Sequence, residues 1–287
     1  MKTAFLKYIA SLLLFASNGL VASFISMSSG DIVYLRTVLG TAALALLFAA
    51  TRRRLTFHRH PRDCAFIVLS GIATAAEWLL LFEAYDRVGV GVGMILNYCG
   101  PAIVVAFSPL VFKERVTAPL VAGLFAALVG MVCISGGALS RGADAVGVMC
   151  AALSAFLYAA MVIFNKMSEK VTGMENSLVQ MFSILAVLVV YTAARGRFFA
   201  SWAVPHGEWL PMLWLGVVNT GGACWLYFSS IGFIPAQSVS ICGYLEPLSA
   251  ALMAAAFLGE RMGAVQIFGA VLIVLGTLWG ERSIRRA

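Results

Sequence analysis

Long apolar runs alternate with short polar breaks along the whole chain. Ten runs stand out, with approximate cores at 5–25, 32–50, 64–85, 90–112, 117–137, 145–165, 175–194, 208–231, 236–258 and 263–280. An α-helix needs ~20 mostly apolar residues to cross a bilayer, so each run is a candidate transmembrane helix. Most breaks carry turn or charge signals, such as Ser28-Ser29-Gly30-Asp31 and Lys113-Glu114-Arg115. The longest polar stretches, 52–63 and 195–206, are too short to be domains. The expected fold class is an all-α integral membrane protein with ten transmembrane helices.

The runs repeat. Segment 95–130 matches segment 241–276 without a gap, and each matched pair is 146 residues apart. Tyr98 falls on Tyr244, Pro101 on Pro247, Glu114-Arg115 on Glu260-Arg261, Gly123 on Gly269 and Gly130 on Gly276. Thr74 and Phe82 extend the register to Thr220 and Phe228. Five spans make up each copy. An odd number sends the second copy into the membrane from the opposite side, so two inverted five-helix repeats are expected, 1–140 and 141–287, forming one membrane domain. Inverted repeats mark secondary transporters that work by alternating access.

Composition narrows the class. Of 287 residues, 61% are hydrophobic and 11% charged, against about 45–50% and about 25% in soluble domains. The net charge of +7 reads as a positive-inside bias and not as a nucleic-acid surface. With the N-terminus in the cytoplasm, 14 basic residues fall inside, among them Arg52, Arg53, Arg54, Arg59, Arg62 and Arg286. Five fall outside (Arg87, Arg141, Arg195, Arg197 and Arg261), and Arg36 lies within the second span. Both termini are therefore expected to be cytoplasmic, in the plasma (inner) membrane. The start of the chain, with Lys2 and Lys7 ahead of an apolar run, mimics a signal peptide; it is kept as the first span because the repeat needs it. The six cysteines lack any CxxC spacing and read as small packing residues.

Taken together, Pro101 followed by Glu114-Arg115, Gly123 and Gly130, and Pro247 followed by Glu260-Arg261, Gly269 and Gly276, resemble the EamA family of the drug/metabolite transporter superfamily. The stretch LFEAYDRVGVGVGMIL resembles that family's passage from helix 3 to helix 4. Phe15-Ala16-Ser17-Asn18 is loosely similar to its first-helix motif, with Phe and Ala where Trp and Gly are usual. The resemblance covers the whole chain and implies transport. It does not imply a substrate, since members are associated with amino acids, sugars, nucleosides, choline-like cations and drugs.

Charges inside spans are costly and mark candidate sites. Glu77 and Glu83 lie in the third span and Glu246 in the ninth. Glu246 is the strongest candidate: it sits between Tyr244 and Pro247, and its repeat mate is Gly100, so the acid is not a fold requirement shared by both copies. A proline frees a backbone carbonyl one turn earlier. Tyr98 and Tyr244 are expected near the pseudo-two-fold axis, with Trp78, Tyr158 and Trp225 as further aromatic lining and Asn18 and Asn97 as polar groups. Aromatic rings and an acid suit a cation; packing and interhelical hydrogen bonds are the bland alternative. Arg36 reads as an anion clamp or as a partner of Asp31 or Glu83, and Glu83 equally as a partner of Arg87. Gly89, Gly91, Gly93, Pro101, Pro235 and Pro247 are candidate hinges. The seven-residue glycine spacing is expected to pack the fifth span on the tenth, and Glu114-Arg115 and Glu260-Arg261 to be surface caps starting the next helix.

The expected function is secondary transport of a small polar organic metabolite, amino-acid-like or amine-bearing, by export. The alternative is uptake or exchange of a quaternary amine, choline-like cation or drug. Nucleotide-binding motifs are absent from the sequence. An intramembrane enzyme is the remote alternative, because His58, His60 and His206 lie in polar loops and Asp31, Asp63, Asp86 and Asp144 at span edges. No metal, cofactor or nucleic acid is expected. The expected partners are the lipid bilayer, a small solute and a coupled proton or cation, acting on a monomer or homodimer.

Overall fold

A computed structural model describes residues 2–52, 55–135, 144–198, 202–259 and 262–285. Glu260, Arg261, Arg53, Arg54, Arg141 and Arg286, used above for the motif and the charge count, lie outside the described residues. Among the described residues there is no strand. The helices are α1 (Lys2–Ala16), α2 (Asn18–Ala22), α3 (Ser29–Ala50), α4 (Pro61–Val88), α5 (Val90–Asn97), α6 (Gly100–Phe112) and α7 (Ala118–Ser135). They continue as α8 (Ala145–Met167), α9 (Gly173–Ala194), α10 (Trp209–Leu213), α11 (Ala223–Phe228), α12 (Ala236–Gly243), α13 (Leu245–Phe257) and α14 (Ala264–Ile284). Helix falls on each of the ten expected cores. Eight stretches are long and apolar enough to cross a membrane, and a ninth, Ala118–Ile134, is shorter. The eighth expected span is not one regular helix: α10 and α11 flank a π-helical stretch, Trp214–Gly222.

By contacts the chain forms two compact units, Met1–Ala75 with Phe164–Phe233 and Ala76–Ile163 with Ile234–Ala287. Each unit draws on both halves of the sequence, and α4 contributes to both.

In the first unit, polar groups hold the irregular backbone. The break between α1 and α2 falls at Ser17, and the buried Asn219 of the π stretch donates to Leu14 O (3.2 Å), Ser17 Oγ (2.8 Å) and Asn18 Oδ1 (3.2 Å). The π stretch brings Gly216 and Gly221 together against α3, where a Cβ on Gly40 would lie 2.8 Å from Gly216 O and from Gly221 N. The π-helix is rare and occurs mostly as single turns inside α-helices, frequently at functional sites. Asn165, Asn176 and Gln180, all buried, bond one another across α8 and α9, and Gln180 Nε2 donates to Ser70 Oγ (2.9 Å) and Thr74 Oγ1 (3.2 Å) on α4. Such side-chain bonds act as interhelical glue where lipid supplies no hydrophobic drive.

The loops of this unit are pinned by carboxylates in a reciprocal way. Asp31 in the first turn of α3 holds Arg197 from the loop after α9. Glu175 in the first turn of α9 holds Thr56 and Phe57 from the loop after α3, with Phe57 N at 2.6 Å. Asp63 likewise accepts from Glu169 N (2.9 Å) and Lys170 N (2.7 Å), and Glu208 from Ser26 N and Oγ (2.7 Å each).

In the second unit α7 packs closely on α14. A Cβ on Gly123 would lie 2.5 Å from Gly276 O, and one on Gly130 would lie 2.5 Å from Gly269 O. The glycines therefore pack the fifth expected span on the tenth. The contacts run antiparallel, and the pair Gly123–Gly276 becomes the pair Gly269–Gly130 when each residue is replaced by its repeat mate.

Candidate functional site

Both proline-containing helices of the second unit are broken at the same repeat position. Pro101 is the second residue of α6 and Pro247 the third of α13, and the preceding helices stop at Asn97 and Gly243. A proline cannot donate to the carbonyl four residues earlier and its ring crowds that carbonyl. Tyr98 and Tyr244 occupy the two breaks. At the first, Ala102 N turns to Cys99 O (3.0 Å), which leaves Tyr98 O without an intrahelical donor. The hydroxyl of the buried Tyr244 fills that place, donating to Tyr98 O at 2.7 Å. The two rings lie 5.9 Å apart, centroid to centroid, at an interplanar angle of 36°. Broken helix at membrane depth is tolerated where protein or a cavity receives the freed backbone groups.

Two carboxylates adjoin this pair. Glu77 on α4 is buried, and its Oε1 accepts from Asn97 Nδ2 at 3.2 Å. Asn97 also donates to Ser154 Oγ (3.0 Å), which donates to Ala151 O (2.7 Å). Glu246, half-buried on α13, is near enough to act by charge on both Glu77 and Tyr98. Tyr158 on α8 packs where a Cβ on Gly100 would stand, 2.8 Å from its ring carbon. Thus Glu77, Asn97, Tyr98, Tyr158, Tyr244 and Glu246 are gathered in one unit around the two breaks. Trp78, next to Glu77 on α4, is half-buried. This arrangement offers aromatic faces, a hydrogen-bonded carboxylate and a second carboxylate, which together suit a cationic or hydrogen-bonding solute.

Other candidates are placed elsewhere. Asn18 and Trp225 belong to the first unit, where Asn18 accepts from Asn219 and Trp225 receives Lys7 Nζ over its ring at 5.7 Å. Arg36 is half-buried in α3. Asp31, considered as a partner for Arg36, pairs with Arg197. Glu83 pairs with Arg87 at 2.7 Å, one helical turn on, and Arg87 also reaches Asp144 at 3.1 Å. The amide of Val146 and the Arg87 guanidinium hold the Asp144 carboxyl below its ordinary value.

The candidate hinges divide. Gly89 and Pro235 are repeat mates, but Gly89 has φ 83°, a left-handed conformation that favours glycine, whereas Pro235 has φ −51°. They make different turns. Gly91 and Gly93 are buried within α5, Gly93 against the Tyr85 ring. Glu114 does not start the next helix; its carboxylate accepts from Ala236 N (2.8 Å) and Gln237 N (3.1 Å) at the start of α12, where the helix dipole favours an anion.

Sequence reasoning passed over Ser154, Asn219 and the Asn165–Asn176–Gln180 network. Their signal was available: each is a polar residue inside an apolar run. Among the described residues, no group of three or more His, Cys, Asp or Glu is arranged to hold a metal.

Comparison with known proteins agrees with this architecture. A model of the EamA-like transporter family matches the chain twice, over residues 2–136 and 145–279. The uncharacterized transporter YxxF of Bacillus subtilis is 23% identical over 277 residues, 96% of this chain and 88% of its own. An uncharacterized transporter of Archaeoglobus fulgidus is 25% identical over 92% of both chains. The riboflavin transporter ImpX of Fusobacterium nucleatum is 25% identical over 44% of this chain and 42% of its own. A solved crystal structure superposes with a TM-score of 0.84 at 19% identity, covering 98% of each chain, a likeness of fold alone. With the family model matched across both halves, this integral membrane chain belongs to the EamA-like transporter family of the drug/metabolite transporter superfamily.

Proposed function

We propose that the protein is a secondary transporter that exports a small amine-bearing or amino-acid-like solute by alternating access between two inverted five-helix repeats. The observation that carries this reading is the pair of repeat-equivalent helix breaks, joined by Tyr244 and Tyr98 and flanked by Glu77 and Glu246. Broken helices at the interface of inverted repeats are where such transporters bind solute and coupling ion. The inverted arrangement is supported by the reciprocal glycine contacts of α7 and α14, by the exchanged loop contacts of Asp31 and Glu175, and by the double match of one family model.

Glu246 takes the solute's cationic group or a coupling proton, and the tyrosine faces line the bound cation. Both termini face the cytoplasm of a plasma (inner) membrane. A thermal-shift screen of the purified protein against amino acids, primary amines, quaternary ammonium compounds and riboflavin tests the solute class, since a ligand stabilises the state that binds it. Primary amines or amino acids should raise the melting temperature. Stabilisation by riboflavin alone, the solute named for the relative ImpX, would contradict the reading. Cysteine labelling tests the orientation: the 52–63 loop should be protected from an external reagent in intact cells, and labelling there would reverse the topology.

A further inference from the structure

The first unit carries an apolar groove of about 780 Å³ beside the line where α4 and α9 pack. Its lining includes Leu55 and Phe57 from the loop before α4, Ile72 from α4, and Phe182, Ala186 and Val190 from α9. Phe182, Ala186 and Val190 are exposed. Because the chain spans a membrane, this groove faces acyl chains. Packing in it gains little by itself, since lipid tails are as apolar as the groove wall and no water is displaced. Selectivity for an occupant must therefore come from the polar end.

That end is strongly basic. The loop that supplies Leu55 and Phe57 belongs to the stretch 52–63, which holds five arginines against one aspartate. Arg52, Arg59 and Arg62 are exposed, and none of the ion pairs among the described residues uses them. Two of the nearby acids are turned to other tasks: Asp63 accepts from the amides of Glu169 and Lys170, and Glu175 from those of Thr56 and Phe57. The Arg62 guanidinium lies 5.7 Å from the Phe66 ring centroid, at the start of the same α4 that walls the groove.

We infer that this groove is a binding site for an anionic phospholipid, with one acyl chain along α9 and the phosphate-bearing headgroup against Arg52, Arg59 and Arg62. Basic residues near a membrane surface attract anionic lipid at ~1 kcal/mol each, about five-fold per charge. The groove adds what a diffuse basic loop lacks, a fixed place for the tail.

Titration of detergent-purified full-length protein with phosphatidylglycerol and with phosphatidylcholine of the same chains, read by native mass spectrometry, tests this. Phosphatidylglycerol should be retained in preference, and 0.5 M salt should erase most of that preference by screening, roughly. Arg59→Gln with Arg62→Gln should weaken phosphatidylglycerol by roughly 25-fold, leaving phosphatidylcholine unchanged. Ala186→Trp, which fills the groove from an exposed position, should weaken both lipids. Equal retention of the two lipids by the unaltered protein would overturn the inference, as would an Ala186→Trp variant that retains both lipids as tightly as the unaltered protein does. A change of oligomeric state in that variant, with lipid binding intact, would assign the groove to a second copy of the chain and overturn it too.

Discussion

The break between α5 and α6 and the break between α12 and α13 share a tyrosine and a proline but differ in every polar group around them. Asn97 and Gly100 flank the first; their repeat mates at the second are Gly243 and Glu246. The shared residues make the bend, because a proline in either copy disrupts the same turn. The differing ones serve separate ends. Gly100 is pressed on α8, where a Cβ would stand 2.9 Å from Ala155 O and 2.8 Å from the Tyr158 ring. Glu246 occupies the equivalent place in the other copy as a half-buried acid. One break is thus closed by packing while its mate carries a charge. In a duplicated protein, what both copies keep belongs to the fold, and what one copy alone has is where chemistry can be added.

Exchanging the differing residues should break this comparison most severely. Gly100→Glu forces a carboxylate against the Ala155 carbonyl and the Tyr158 ring. Overpacking typically costs 1–3 kcal/mol, roughly, and an uncompensated buried charge about 3–5 kcal/mol more. The expected result is loss of the folded peak in detergent size-exclusion chromatography, whereas Glu246→Gly should retain it. Next in size is Tyr244→Phe, which leaves the part-buried Tyr98 carbonyl without a donor at a cost of about 1–3 kcal/mol. Its mate, Tyr98→Phe, removes a hydroxyl that makes no reciprocal bond and should lower the melting temperature much less. Equal shifts for the two tyrosine variants would show that the breaks are equivalent after all.

The smallest effect is expected outside both breaks. Asp144 accepts from Val146 N at 2.9 Å and pairs with Arg87. Its carboxyl is held below the ordinary value, so its contribution is present above the unfolded-state value and lost as pH falls through the lower folded one. Asp144→Asn should lower the melting temperature slightly at neutral pH, and the difference from the unaltered protein should vanish in acid.

The helical architecture was legible because apolar length and proline position are local signals. Each expected core lies on helix, and two of the three candidate hinge prolines, Pro101 and Pro247, stand beside a break within a span. What eluded sequence reasoning depends on distance along the chain. Glu114 reads as a cap for the helix that follows it, yet the amides it finds belong to Ala236 and Gln237, 122 and 123 residues away. Asn219 reads as one polar residue in an apolar run; its role appears only when the π stretch meets the α1–α2 break. The pairing of Arg197 with Asp31 joins residues 166 apart in the chain, which no local pattern shows. Within the candidate site, the tyrosine pair and Glu246 could be read from the repeat. The link from Asn97 to Glu77 and Ser154 could not, since it joins three helices with no shared period.

We propose that Glu246, the acid present in one copy only, sets the cation or proton dependence of transport. The direct measurement is solute flux into liposomes reconstituted with the unaltered protein and with Glu246→Gln, across a range of pH and cation concentration. Glu246→Gln should change the pH profile or alter the half-saturating cation concentration by about tenfold or more, which corresponds to ~1.4 kcal/mol of lost charge interaction. Flux with the same rate, the same pH dependence and the same cation affinity in both proteins would contradict it.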